Sequence, residues 1–324
     1  MIYLSRVDLL LATVAFGAAV VNGGLGYGFS SITVPVALLF KASRVLNPAL
    51  VLLELPLNAA ALFVNRRALP GILPRVWPLL VGAVPGTVLG GLVLASTAPG
   101  KLKIFTFAAL LPLLLAQSAG VRRPVRHERA LGLPAGVLLG GLYGATTISG
   151  PPLALMFNNQ GFSKDEFRAA LAAFRIVESV CTLVAYLALG LVGKESLGFA
   201  AGLAPAVLVG VPLGFLLLRG VAQDTFRRVC IAADVVLVAF GLSRSLLAVG
   251  VLLPSVAWAA LAAVALLQAA ILVAGGRSAR GVRAAAQAVP FPAALAVLSP
   301  VRAEAGPPDA QSPQAAAALA RSAQ

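Results

Sequence analysis

The stretch NGGLGYGFSSITVP, residues 22–35, places four glycines and a proline inside an apolar segment that extends over 8–40. Glycine weakens a helix and frees the backbone to turn, whereas proline removes a backbone donor and suits the first turn of a new helix. The stretch therefore predicts a helix that breaks and starts again within one hydrophobic segment. The remaining sequence indicates the solvent in which this break lies.

The composition predicts that this solvent is lipid. Of the 324 residues, 60% are hydrophobic and 11% are charged, and the mean hydropathy is +0.95. Apolar stretches of about 20 residues recur along almost the whole chain, and this is the length that crosses a bilayer core of about 30 Å. We therefore predict an all-α polytopic membrane protein.

The charged residues and cysteines argue against several functional classes. The 25 Lys and Arg residues give a formal charge of +14, but they are scattered between apolar runs and form no basic domain. This distribution indicates membrane topology, and no nucleic acid partner is expected. One histidine and two cysteines supply too few ligands for a His/Cys metal site, so neither a metal nor a cofactor is expected.

The sequence contains an internal repeat. Residues 140–157, GGLYGATTISGPPLALMF, resemble residues 23–40, GGLGYGFSSITVPVALLF, at a shift of 117 positions. Farther on, residues 210–218 resemble residues 86–94 at a shift of 124, because the polar loop NNQGFSKDEF adds seven residues. Repeats of this kind are typical of secondary transporters.

This repeat defines the domain organisation. We predict a first membrane repeat over 1–125, a second over 126–250, an additional transmembrane helix over 251–276 and a disordered tail over 277–324. Each repeat contains one glycine-broken segment and three spans. The predicted segments are 8–40, 45–64, 76–95 and 102–119, then 131–157, 169–190, 197–218 and 227–243, and the final apolar run is 246–274.

The two broken segments either cross the membrane or return as re-entrant hairpins of two half-helices. If both cross, the Lys and Arg residues of the loops divide ten against twelve between the two sides, which is no bias. If both return, they divide seven against fifteen, with Arg244 assigned to a loop on the poorer side. The positive-inside rule favours the hairpins.

Hairpins also have a consequence for the symmetry of the fold. Each repeat then crosses the membrane three times, so the second repeat is inverted relative to the first. The chain crosses seven times in total, the N-terminus lies outside and the tail is cytoplasmic. The hairpins enter from opposite faces and meet near the midplane.

The breaks predict a binding site for an anion. Broken backbone in lipid survives only where it is buried in protein or lines a polar cavity, and the amides at the start of a helix attract negative charge. The alternative is that the glycines only allow close helix packing. The candidate substrate-binding residues at the two breaks are Gly24, Gly26, Ser30, Ser31, Thr33, Thr146, Thr147, Ser149 and Gly150.

Charged residues within the predicted spans point to the same region, because an unpaired charge in the bilayer is costly. Arg175 is a further candidate for substrate binding, and Glu54 and Glu178, which coincide at the shift of 124, are candidates for proton coupling. Arg175 and Glu178 lie three residues apart on one helical face, a spacing at which they could pair. The alternative is an ion-pair network that only stabilises the bundle, a role that is also open for Asp234.

The stretches GGLGYGFSSITVPVALL and GGLYGATTISGPPLALMFNNQGFSKDEFRAALAAF resemble the TauE/SafE family, which includes sulfite exporters and toluenesulfonate uptake permeases. The resemblance covers about residues 8–250. It implies a carrier of the bacterial inner membrane for a sulfur oxyanion, a sulfonate or another small organic anion. The stretch ATTISGPP departs from the family pattern, since hydroxyls and prolines replace some glycines.

We therefore predict a secondary transporter for a small anion, with protons and the lipid bilayer as its other partners. An anion channel is the first alternative, and substitution of either Glu54 or Glu178 by glutamine should abolish gradient-driven accumulation only in a carrier. An intramembrane enzyme is less favoured, because the chain has no H-E-x-x-H motif and its single histidine lies in a loop. The sequence leaves open whether the chain forms a homo-oligomer.

Reporter fusions test the hairpin topology. A reporter fused after Arg129 should report the cytoplasm, and one fused after Lys101 should report the opposite side, because the hairpin arrangement places these positions on different faces. The two fusions serve as controls for each other, and the reverse result would contradict the hairpins.

Overall fold

The computed structural model describes residues 6–119, 128–158, 160–217, 223–250 and 253–288. Within these ranges the chain is helical and contains no strand, so the predicted all-α fold is confirmed. The arginine-rich loop at 120–127, which includes the only histidine, lies outside the described residues. So does the tail from 289 to 324.

The described residues form eleven α-helices, and the first ten follow one order that occurs twice. Each series has a long helix, a short helix after a break, and three further long helices. The helices are α1 (Arg6–Leu25), α2 (Phe29–Ala37), α3 (Ser43–Asn65), α4 (Leu69–Ser96) and α5 (Pro99–Ser118), then α6 (Glu128–Thr146), α7 (Gly150–Asn158), α8 (Lys164–Ala188), α9 (Lys194–Leu217) and α10 (Gln223–Ala248), and finally α11 (Pro254–Ala288). A single 3₁₀ turn, Arg66–Ala68, joins α3 to α4.

Seven segments of the described chain are long and apolar enough to cross a membrane. One of them, Ser43–Ser96, has 54 residues and contains both α3 and α4. A helix of that length would extend about 80 Å, so this segment accounts for two crossings of a core of about 30 Å. Large apolar side chains such as Leu89, Leu208 and Leu266 face outward, as lipid contact requires. The protein is therefore a multi-pass membrane protein.

These seven segments differ from the seven predicted crossings. They include α1, which the prediction placed in a hairpin, and they count as one segment α3 and α4, which the prediction counted as two crossings. With 20 residues, α1 is about 30 Å long, whereas α2 has 9 residues and is about 13 Å long. The first broken segment therefore consists of one long and one short arm. The second is alike, with 19 residues in α6 and 9 in α7.

The first broken segment turns back on itself. Gly26 and Gly28 at the break have φ angles of 82° and 111°, which glycine adopts without steric cost. After this turn α2 packs on α1. Beyond α2, the Nζ atom of Lys41 lies 3.5 Å from Oδ1 of Asp8 at the start of α1. The two ends of the segment therefore lie side by side, as they do in a hairpin.

The second broken segment also returns toward its start. Thr147 at its break has a φ angle of 58°, the one positive value among the described residues other than glycine. Leu131 near the start of α6 and Phe157 near the end of α7 line one cavity together with Arg75 of α4. The start and the end of this segment are thus neighbours as well.

Glycines lock the long arm of each broken segment against a helix of the other series. A Cβ atom added to Gly86 of α4 would overlap the carbonyl oxygen of Val137 on α6, and one added to Gly140 would overlap that of Ala83. Contacts advance in the same direction along both helices, so α4 and α6 run parallel. The pair α1 and α9 is packed alike, with Gly214 against Val20. Such close approach is typical of small residues in membrane helices.

Helices α5 and α10 pack antiparallel. Phe107 in the first half of α5 contacts Gly241 near the end of α10, whereas Gln117 at the end of α5 shares a small cavity with Ile231 in the first half of α10. Between these outer pairs, α3 packs on α8 and brings the buried charges together.

Two details at the C-terminal end differ from prediction. Helix α10 continues to Ala248, so Arg244 is an exposed residue of this helix and does not lie in a loop. Helix α11 begins at Pro254 and continues to Ala288, so residues 277–288 are helical although they were assigned to the tail. The chain separates into the compact unit Met1–Leu272 and a second unit, Val273–Gln324, of which the described part is the end of α11.

Substitution of Gly86 tests the packing between α4 and α6. The change Gly86→Ala should lower the free energy of unfolding by about 1–3 kcal/mol, because the added methyl group forces two backbones apart. Gly17→Ala is the matched control, since Gly17 lies in a membrane helix with open space around it. Thermal unfolding in detergent measures both, and equal stability of the two variants would contradict the close packing.

Candidate functional site

A buried carboxylate at the centre of the bundle accepts hydrogen bonds from three donors. Glu54 of α3 is 1% exposed. Its Oε1 accepts hydrogen bonds from Ser30 Oγ of α2 and from Arg175 Nη2 of α8, the latter at 2.8 Å. Its Oε2 accepts a hydrogen bond from the Tyr143 hydroxyl of α6 at 2.6 Å. Residues from both series of helices thus meet at one negative charge.

A second layer of polar groups fixes these donors. The Tyr143 hydroxyl also lies 3.0 Å from Ser179 Oγ, which accepts a hydrogen bond from Asn58 Nδ2 at 2.8 Å. All three side chains are buried. Buried polar networks are rigid when their members are paired, so this layer orients Tyr143 toward Glu54.

Glu178 of α8 has a different environment from Glu54. It is fully buried, and its Oε2 accepts a hydrogen bond from Ser149 Oγ at 2.5 Å. Its Oε1 has no hydrogen-bond partner among the described residues. Each glutamate is thus joined to a serine at the break of its own series, but the guanidinium group of Arg175 contacts only Glu54.

The pairing of Arg175 with Glu178 that their spacing allows does not form, because Arg175 pairs with Glu54. Both residues lie on α8 at a spacing that allows contact, yet Arg175 extends across to α3. Glu54 accepts hydrogen bonds from three donors, one of them charged, whereas Glu178 accepts one from a single hydroxyl. The Glu54 carboxylate is therefore the more strongly stabilised of the two. A pair between helices replaces the pair within one helix.

The two breaks lie against each other. Gly150, the first residue of α7, faces the Tyr27 side chain and the amide of Gly28, which ends the first break. Gly150 is thus the point at which the two breaks are in contact. From these breaks, Ser30 donates a hydrogen bond to Glu54 and Ser149 donates one to Glu178.

The other predicted site residues have local roles or no assigned contact. Ser31 donates a hydrogen bond to the Gly28 carbonyl, and Thr146 and Thr147 donate to the carbonyls of Leu142 and Thr146. Thr33 Oγ1 is buried without a hydrogen-bond partner in the described part of the chain. Gly24 and Gly26 lie next to Arg168, whose Nη2 is 3.5 Å from the Gly24 carbonyl oxygen.

The backbone amides at the two breaks are not equivalent. In α2 the first intrahelical bond runs from Ile32 N to Gly28 O, at 3.2 Å, so the amides of Phe29, Ser30 and Ser31 precede it. Such amides and the helix dipole attract an anion. Helix α7 begins GPP, and its two prolines carry no N–H group. Donors for an anion are therefore concentrated at the start of α2.

Tyr143 and Ser179 were not identified from the sequence. In the repeat, Tyr143 aligns with Gly26 at the shift of 117, and Ser179 aligns with Leu55 at the shift of 124. Neither residue therefore has a polar equivalent in the first repeat. A tyrosine within the glycine-rich stretch GGLYG was the available signal, because a buried tyrosine requires a partner for its hydroxyl.

The site lacks the features of a metal centre. Among the residues that the structure describes, no group of three or more His, Cys, Asp or Glu side chains could hold a metal ion. The donors of the site are hydroxyls, amides and one guanidinium, which are suited to the oxygens of an anion.

These features define a class, the helical membrane protein with a buried charged and polar centre between two broken segments. The model of the family described as sulfite exporter TauE/SafE matches residues 11–240. The chain belongs to this family, whose members are membrane transporters of sulfur compounds. Neither a curated protein nor a solved structure matches the chain.

A pair of variants tests the ion pair of Arg175 and Glu54. Arg175→Ala should lower the free energy of unfolding by about 3–5 kcal/mol, because it leaves the Glu54 charge buried without its cation. The double variant Arg175→Met with Glu54→Gln should regain most of this loss, since it removes both charges. Thermal unfolding in detergent measures the effect, and equal stability of the single and double variants would show that the pair is not coupled.

Proposed function

We propose that this protein is a proton-coupled secondary transporter for a small oxyanion, in keeping with its family. The observation that supports this proposal is the environment of Glu54, where Ser30, Tyr143 and Arg175 converge on one carboxylate. These are the donors that an external oxyanion would use. In this conformation Glu54 holds these donors, and the substrate competes with Glu54 for them.

The start of α2 completes the proposed binding site. The amides of Phe29, Ser30 and Ser31 lie next to the Ser30 hydroxyl that now bonds Glu54. An anion at this position would interact with the positive end of the helix dipole and with Arg175. Ser149 and Gly150 border the site from the second break. Gly24, Gly26, Thr33, Thr146 and Thr147 shape the two breaks in this proposal.

The substrate class follows from this donor set together with the family. A tetrahedral or pyramidal oxyanion carries several acceptor oxygens, and hydroxyl, guanidinium and amide donors approach the site from different sides. We therefore assign the site to a sulfur oxyanion or a sulfonate. Sulfite is the first candidate, because the family is described by it.

Proton coupling follows from the competition at Arg175. When an anion binds Arg175, two negative charges would share one cation unless Glu54 takes up a proton. Protonated Glu54 no longer competes, so binding of the anion and uptake of a proton favour each other. Glu178 has one unpartnered oxygen in an apolar environment, which favours its neutral form, and we assign it a proton in this conformation.

The helix packing supports an inverted repeat as the basis of transport. The hairpin-like return of both broken segments and the antiparallel packing of α5 on α10 are what two inverted units would produce. A carrier of this kind opens to each side of the membrane in turn. Its membrane would be the bacterial inner membrane, with the N-terminus outside.

The burial of the site favours a carrier over a channel. Glu54, Arg175 and Glu178 are at most 3% exposed, so the charged centre is closed on both sides in this conformation. A conducting channel would instead present these groups to a continuous aqueous path.

Transport by the purified protein in liposomes tests this function. Uptake of labelled sulfite, sulfate, thiosulfate, taurine and sulfoacetate should be saturable for at least one anion, and it should rise when the outside is acidic. Equal uptake with and without the pH gradient would contradict proton coupling. Failure of all five anions, with the protein folded, would contradict the sulfur-anion assignment.

Two isosteric variants test the assignment of the glutamates. In the wild type, the anion should bind more tightly as the pH falls, because protonation of Glu54 frees Arg175. Glu54→Gln should bind the anion with little pH dependence and lose gradient-driven accumulation, while exchange of internal for external anion continues. Glu178→Gln is the matched control and should keep the pH dependence of binding. Accumulation by Glu54→Gln under a gradient would contradict this mechanism.

A further inference from the structure

A small cavity borders the start of α2 next to Ser31. It is enclosed by the first break, the end of α5 and the first half of α10, and we refer to it as the Asp234 cavity. Ser30 and Ser31 are consecutive residues of α2, and Ser30 bonds Glu54 while Ser31 interacts with Asp234. The lining residues that matter here are Leu25, Tyr27, Ser31, Gln117 and Asp234.

Two polar side chains of this cavity, those of Asp234 and Gln117, have atoms without a hydrogen-bond partner among the described residues. Asp234 is 4% exposed, and its Oδ1 has no hydrogen-bond partner among the described residues. The amide oxygen and nitrogen of Gln117 are also buried and unpartnered within that part of the chain. These two side chains line one cavity without bonding each other, so the space between them separates groups that require a ligand.

The charge of the cavity depends on Asp234. The described residues that line it include the carboxyl group of Asp234 but neither lysine nor arginine. Helix α1 ends at Leu25, and the carbonyl end of a helix carries partial negative charge. A carboxylate in this environment stays charged only when it has a positive partner and otherwise takes up a proton, because an isolated buried charge is costly.

The size and donors of the cavity restrict this partner. The cavity volume, counted as space for the centre of a water molecule, is about 10 Å³, which is enough for one water molecule or one small ion. Carboxylate, amide and hydroxyl oxygens are hard ligands that suit an alkali or alkaline-earth cation. A single carboxylate balances one positive charge, which favours a monovalent ion over a divalent one.

We propose that the Asp234 cavity binds one sodium ion, held by Asp234 Oδ1, Gln117 Oε1 and Ser31 Oγ. Broken helices in transporters commonly supply oxygen ligands for sodium at such positions. The ion lies against the same helix start that we assign to the anion, so it would add positive charge there. Nothing in this proposal requires the anion assignment, because sodium binding is measured without any substrate.

Equilibrium binding of radiolabelled sodium to the purified full-length protein in detergent tests the proposal. The wild type should bind one ion per chain with saturation, and excess unlabelled sodium should displace it better than potassium. Loss of an outer partner of a metal site already costs about 10–100-fold in affinity, so Asp234→Asn should weaken binding at least about ten-fold. Gln117→Leu should weaken it as well.

Matched variants and a second measurement keep the outcome interpretable. Gln268→Leu makes the same change as Gln117→Leu at another buried glutamine, which bonds Ser118, and it should bind sodium like the wild type. Sodium chloride should raise the unfolding temperature of the wild type above its value in choline chloride at equal ionic strength, but not that of Asp234→Asn. No saturable sodium binding, equal binding by Asp234→Asn, or loss of binding in Gln268→Leu instead would each overturn the proposal.

Discussion

The buried ion pair between Arg175 and Glu54 is the interaction on which the rest of the centre depends. A charge in lipid is tolerated only when protein groups replace its water shell, so these two residues force α3 and α8 together. The hydroxyls of Ser30 and Tyr143 then complete the set of donors to the carboxylate, and this fixes the start of α2 and the last turn of α6. One charge thus determines the positions of four helices.

Two similar sequences build unlike halves around this charge. Glu54 and Glu178 coincide in the repeat and each bonds a serine at a break, yet only Glu54 is paired with a cation. Arg175 falls opposite Val51 in the repeat, and no second arginine balances it. The start of α2 offers amides where α7 has two prolines. A symmetric scaffold therefore carries an asymmetric site, which favours one bound anion over two.

The sequence predicts more of the fold than of the contacts. Apolar length and the repeat indicate the spans and the breaks, because both depend on local composition. The partner of Arg175 does not follow from spacing, since a residue 121 positions away in sequence prevails over one three positions away. Tyr143 was missed for a related reason, because its role depends on which helix lies opposite it. Side-chain partners in a bundle are determined by packing between helices, which periodicity alone does not encode.

The parallel pairs of α1 with α9 and α4 with α6 bear on how the protein is made. Helix α1 packs closely on the glycines of α9, a helix that begins at Lys194, so the ribosome must synthesise most of both repeats before this partner exists. Until then α1 lacks this packing partner. The partner of α4 follows much sooner, because α6 begins at Glu128. The second hairpin is thus able to dock during synthesis, whereas the first one completes its packing late.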